Sequence, residues 1–218
     1  TLVDLGGRGR ESRSTVVAAM VNMGGLSLGP LLAGALSEWV GMPLRVPFWV
    51  DLGLLALAAV CIWAIPEPVT DRTRLRLRLQ RLRVPREMRA IFAKAGLIAF
   101  VGFAVQGLFT GVSSGFLPAV LGVDSRFTIG LVVFLVFASS ALGTLLQGRM
   151  APLTAMRLGC AGLIAGMAVI FISLATESLP VLIAGGILAG LTQGLAFRAA
   201  LFTVNAAAPP ENRAEVAS

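Results

Sequence analysis

Six stretches of this chain stay apolar for about 20 residues each, the length a helix needs to cross a bilayer. They are Thr15–Leu36, Pro47–Ile65, Gly96–Leu117, Phe127–Gln147, Ala155–Ala175 and Leu179–Val204. No other feature restricts the fold as much. Backbone N–H and C=O groups find no water in hydrocarbon, so a spanning segment must be a helix or part of a closed barrel. Barrel strands are shorter and alternate in polarity, and these runs do neither. The expected fold class is an all-α membrane protein, a polytopic bundle of six transmembrane helices. Composition agrees, with 56% hydrophobic and 13% charged residues. One soluble core of this size cannot hide that much apolar surface.

Basic residues between the spans set the direction of each crossing. Arg8, Arg10 and Arg13 precede the first span, and nine Arg or Lys residues lie from Arg72 to Lys94 after the second. Arg149 and Arg157 join spans four and five, and Arg213 lies in the tail. The opposite side holds only Arg45 and Arg126, a balance of 15 against 2. The positive-inside rule then places both ends and the long loop in the cytoplasm. The expectation is a multi-pass protein of the cell (plasma or inner) membrane, with the lipid bilayer as its first partner.

This distribution also accounts for the net charge of +7. A nucleic-acid partner needs a basic face on a folded domain, and no soluble domain is left to carry one. The densest stretch, RLRLRLQRLR at residues 74–83, fits two readings: a solvated linker that fixes topology, or a segment lying on anionic headgroups.

The chain has no histidine. Imidazole metal sites, Ser–His triads and histidine pH switches are therefore excluded. Cys61 and Cys160 fall in apolar runs without metal-ligand spacing and read as buried, reduced thiols. No nucleophile–base pair appears. The expectation is a protein that is not an enzyme and needs no cofactor or metal.

The first span carries GGLSLGPLLAG at residues 24–34, four glycines and a proline that would weaken a helix in water. In lipid, helices persist and small residues let two backbones approach closely. Gly25 and Gly29 form a small-xxx-small pair that Gly34 extends. Pro30 lacks an N–H, so the Leu26 carbonyl loses its helical partner and a bend is expected there.

Gly25-Leu-Ser-Leu-Gly29-Pro30-Leu-Leu-Ala33-Gly34 resembles the antiporter motif of the major facilitator superfamily, which marks the fifth transmembrane helix of its drug–proton antiporters. The chain departs from that pattern at Val16 and Ala33, where the family has glycine. Pro47-Phe48-Trp49-Val50, Pro66-Glu67-Pro68 and the long basic loop follow in the family's order. The resemblance implies a twelve-helix fold of two six-helix halves, with these spans as helices five to ten. Residues 1–65 would then end the first half, 66–95 form the loop between halves, and 96–218 begin the second half. It also implies that helices five and eight meet between the halves, with Ser139 and Gly143 receiving the seam of Gly25 and Gly29. Gly148-Arg149-Met150-Ala151-Pro152 resembles the family's other signature loop. Pro152 stands at the acidic position, so no gating salt bridge is expected there.

Spans three and six echo each other. Gln106-Gly107-Leu108-Phe109 answers Gln193-Gly194-Leu195-Ala196-Phe197, and Gly111 and Gly115 answer Gly186 and Gly190. Repeated helix triplets produce such self-similarity, and in the resembled family these two helices line the central cavity. Gln106, Thr110 and Ser113 lie at i, i+4, i+7 and share a helix face. With Gln193 and its neighbour Thr192, they are candidates to contact a substrate; structural hydrogen bonding between helices fits them equally. Asn22, Ser139 and Ser140 read as packing residues. Asp51 reads as a first-turn, interfacial carboxylate. Arg198 either reaches the interface or faces the cavity as a charge partner.

The resemblance thus implies a secondary transporter exporting small amphipathic compounds against protons, with the remaining helices of the longer protein as partners. A nutrient symporter or uniporter of the same fold, and a noncatalytic six-helix scaffold, are the alternatives.

Overall fold

The computed structural model describes residues 11–64 and 88–207, with side-chain surroundings in the first helix given from residue 21 onward. Six helices fill these stretches: α1 (Glu11–Trp39), α2 (Val46–Ala64), α3 (Arg89–Ala119), α4 (Arg126–Gln147), α5 (Pro152–Thr176) and α6 (Leu179–Ala207). Each expected span lies within one of them, apart from Ile65 at the end of the second, which is outside the described residues. Among the described residues, α2 to α6 are long and apolar enough to cross a membrane. α3 begins at Arg89, seven residues before the expected span, because Ala90–Ala95 are good helix formers or apolar. The arginine-rich stretch 74–83, Pro66–Pro68, Arg8, Arg10 and Arg213 lie outside the described residues.

Local sequence sets the helix ends. Ser125 caps α4, its hydroxyl accepting the Thr128 backbone N–H at 3.2 Å, which satisfies one of the orphan donors of the first turn. Pro152 opens α5, where a missing N–H costs nothing. Gly122 at φ 62° turns the chain between α3 and α4, a left-handed conformation that glycine takes without a steric penalty.

α6 is the hub. It packs against α5, α4 and α3, and α1 packs against α4. Its approach to α4 is close because both backbones are bare at the contact. A Cβ on Gly190 would run into the Val136 carbonyl, one on Gly194 into the Ser140 carbonyl, and one on Gly143 into the Leu191 carbonyl. On the other side, Gly159, Gly162 and Gly166 of α5 leave room for Ala196, Thr192 and Ala189 of α6. Small residues here replace the hydrophobic drive that lipid removes. Above these glycine contacts, Phe109, Leu117, Val136, Ile170 and Leu182 form an apolar core.

The glycine echo does not become a packing echo. Gly186, Gly190 and Gly194 are buried against neighbours, whereas Gly107, Gly111 and Gly115 have open space where a Cβ would go. α3 buries a different stripe: Ala95, Gly102, Gln106, Phe109, Ser113 and Leu117.

α2 has no buried residue and touches only α1 appreciably among the described helices. Cys61 and Cys160 are both exposed, not buried. The apolar runs that carry them present those faces outward from the described helices. Asn22 is likewise exposed, so it is not a packing residue within this bundle. Asp51, expected in the first turn, is exposed in the second turn of α2, because that helix begins at Val46.

Candidate functional site: a buried polar node and an interhelical seam

Where α3, α4 and α6 meet, the bundle buries polar side chains. Gln106 is 2% exposed, Gln193 1% and Ser113 0%. Gln193 reaches α3 because Gly102 has no side chain: a Cβ there would lie 2.7 Å from the Gln193 Cγ. Gln106 sits one turn along the same face of α3, about 6 Å further. The Ser140 hydroxyl of α4 donates to the Gln193 Oε1. Ser140 is thus a hydrogen-bonding member of the node, a role that the serine pair 139/140 did not reveal in sequence.

Hydroxyls elsewhere in the helices bond the preceding turn of their own backbone. Thr110 donates to the Gln106 carbonyl at 2.9 Å, Ser139 to that of Val136 at 2.7 Å, Ser173 to that of Ile170 at 2.7 Å, and Thr192 to that of Leu188 at 2.7 Å. Thr110 and Thr192 are therefore satisfied locally, and the Thr192 side chain packs against Gly162 of α5 rather than joining the node. Four buried atoms behave differently. Gln106 Nε2 and Oε1, Gln193 Nε2 and Ser113 Oγ have no hydrogen-bond partner among the described residues. A buried polar atom left unpaired costs about 1–3 kcal/mol, and hydrocarbon offers no water to relieve it. The i, i+4, i+7 spacing found the face, and Thr110 is its one member that does not contribute a free group.

Arg198 does not join the node. Its Nη1 donates to the Thr144 carbonyl at 2.6 Å, and its guanidinium lies against Gly148. Thr144 lies in the last turn of α4, where carbonyls lack helical partners and the dipole favours a cation. Arg198 therefore caps the C-terminal end of α4.

The second arrangement joins α1 to α4, which run antiparallel. A Cβ on Gly34 would lie 2.7 Å from the Arg126 carbonyl, and one on Gly130 would run into the Pro30 carbonyl. Beyond them, the Arg126 backbone N–H donates to Glu38 Oε2 at 2.8 Å, and Arg126 Nη1 donates to the Ser37 carbonyl at 3.1 Å. Trp39 and Phe127 pack with ring centroids 4.9 Å apart. The expectation that these two helices meet holds, but the contacting residues differ. Pro30 and Gly34 make the contact, while Gly25 and Gly29 are exposed with nothing within 4 Å of a built Cβ. Ser139 and Gly143, expected to receive Gly25 and Gly29, pack against α6 instead, at Gly190 and Leu191. They lie on the opposite side of α4 from Gly130. Glu38 and Arg126 were visible in sequence only as charges between spans.

A family model described as Major Facilitator Superfamily matches residues 4–218 of the chain. No curated protein and no solved structure matches it.

Proposed function

This chain belongs to the major facilitator superfamily and is a multi-pass membrane transporter of small solutes, and on that premise we propose that it exports small amphipathic compounds in exchange for protons. The observation that carries the proposal is the α1–α4 contact. The Gly-Pro stretch that resembles the antiporter motif is the part of α1 that reaches α4: Pro30 and Gly34 lie backbone to backbone with Arg126 and Gly130.

In this reading α1 and α4 belong to two halves joined through residues 66–95, and the halves rock around a cavity near the bilayer midplane. The Trp39 end of α1 faces outward and the Arg149 end of α4 faces the cytoplasm, as the positive-inside rule directs. A dry, glycine-tight contact near the outer end keeps protons from leaking while the cytoplasmic side is open. Gln106, Ser113 and Gln193 supply hydrogen bonds to the cargo. Among the described residues of α3, α4 and α6 there is no Asp or Glu, so the node binds cargo and does not carry the proton.

The test uses the full-length protein in inverted membrane vesicles with an acidic interior. Addition of ethidium should cause accumulation of the dye and partial collapse of the pH gradient. Uptake of a nutrient into intact cells, with no proton movement against drugs, would instead favour a symporter or uniporter.

A further inference from the structure

We infer that the Pro152 end of α5 and the Ala207 end of α6 form a binding site for an anionic glycerophospholipid. Its phosphate meets Arg149 and Arg157, and the upper part of an acyl chain fills a groove between the two helices. The site is separate from the polar node and does not depend on what the protein transports. It rests on the orientation in which the α4–α5 turn faces the cytoplasm.

The groove supplies the apolar half of the site. Pro152, Leu153 and Met156 of α5 and Phe202, Thr203 and Ala206 of α6 line a depression of about 520 Å³, within the roughly 300–1,000 Å³ of ligand sites. Thr203 is the one hydroxyl among these six, and it is already used: it donates to the Ala199 carbonyl at 2.8 Å. Met156 is held by packing on Ala95, Ala200 and Val204. Leu153 and Phe202 are 60% and 57% exposed, so hydrocarbon is the matching occupant. The groove starts at the first residue of α5 and the last turn of α6. It runs about 6–8 Å inward, the depth at which headgroups give way to acyl chains.

Charge selects the headgroup. Arg157 follows Leu153 by four residues, so the two share a face of α5 with Cβ atoms about 5–6 Å apart. Helix side chains lean toward the N-terminus, which carries Arg157 along Leu153 toward the groove mouth and the headgroup level. Arg149 precedes Pro152 by three residues, and both arginines are exposed. A third guanidinium, that of Arg198, lies against Gly148 in the same turn. The described residues of α4, the turn after it, α5 and α6 include no Asp or Glu to neutralise them. Ala151, the N-cap of α5, gives no side-chain hydrogen bond, so the orphan N–H groups of that first turn also favour a phosphate. Topology requires arginines in the connection. It does not require one five residues inside the helix, beside an apolar groove.

The experiment uses the full-length protein in detergent, with phosphatidylglycerol or phosphatidylcholine of identical chains added. Native mass spectrometry measures retained lipid, and no cargo is present, so the result is independent of the export reading. We expect phosphatidylglycerol to be retained in preference and to raise the unfolding midpoint. Arg149→Gln combined with Arg157→Gln should weaken its binding roughly thirtyfold, the usual worth of two cations beside anionic headgroups, and abolish that rise. Ala206→Trp keeps every charge and fills the groove. It should also weaken retention, with the midpoint in lipid-free detergent unchanged. Equal retention of both lipids by the parent protein overturns the inference, as does undiminished retention by the arginine variant. Undiminished retention by Ala206→Trp overturns it too, leaving surface charge without a groove. A lowered lipid-free midpoint for Ala206→Trp would show that a further helix of the longer protein fills the groove, and would also overturn it.

Discussion

Glu38 and Arg126 cap each other's helices. The Glu38 carboxylate accepts the backbone N–H of Arg126 at the start of α4, at 2.8 Å, and the Arg126 guanidinium donates to the Ser37 carbonyl at the end of α1, at 3.1 Å. One helix end offers orphan donors and the other orphan acceptors, so an acid on the C-terminal end and a base on the N-terminal end satisfy both. Each residue opposes its own helix dipole but complements its partner's.

Replacing Glu38 by Ala removes the acceptor for the Arg126 N–H and should cost about 1 kcal/mol, the usual loss for a cap. Arg126→Ala should cost a similar amount, and the double variant about the sum, because the Glu38 bond goes to the Arg126 backbone N–H, which alanine keeps, and the Arg126 bond goes to the Ser37 carbonyl. Thermal unfolding of the four proteins in detergent measures the coupling. Single variants as stable as the parent would mean the reciprocal capping contributes nothing.

Bulk at the α1–α4 crossing should block function without preventing insertion. Gly34→Leu and Gly130→Leu both push a side chain into the facing backbone, and export should fall to background at normal expression. Gly29→Leu meets nothing within 4 Å in this bundle and should be milder. Normal efflux by a well-expressed Gly34→Leu protein would rule out the proposed role of this seam.

The two glycine series make opposite forecasts. Gly194→Ala drives a methyl into the Ser140 carbonyl and should destabilise by about 1–3 kcal/mol, the range for overpacking. Gly111→Ala faces open space and should be neutral or slightly stabilising, since alanine is the better helix former. Unfolding midpoints compared side by side are the check.

Arg198→Met strips the cap from the Thr144 carbonyl. It should lower the unfolding midpoint and leave KM for transported cations unchanged, with Arg198→Lys recovering part of the loss. A raised KM with unchanged stability would return Arg198 to the cargo site.

Much of this was legible before any coordinates. A helix in lipid satisfies its own backbone, so runs such as Phe127–Gln147 could be read as α4 (Arg126–Gln147) almost to the residue. The face shared by Gln106 and Ser113 followed from spacing alone. What stayed hidden concerns partners. Gly107–Gly111–Gly115 and Gly186–Gly190–Gly194 look alike as strings, yet only the second meets another backbone. Ser139 and Ser140 are neighbours in sequence, yet one bonds the Val136 carbonyl and the other the Gln193 amide.

Sequence by itself determined that the chain forms long apolar helices, which stretch lies within each, and which faces carry polar groups. Those properties depend on near neighbours along one chain and on the solvent around it. Only the tertiary structure decided that Gly34 rather than Gly29 touches α4, that Arg198 closes a helix end, and that Gln106 and Gln193 are buried at one junction. Such pairings depend on which rods lie side by side and at what height, and every glycine-lined face is locally as able to dock as the next.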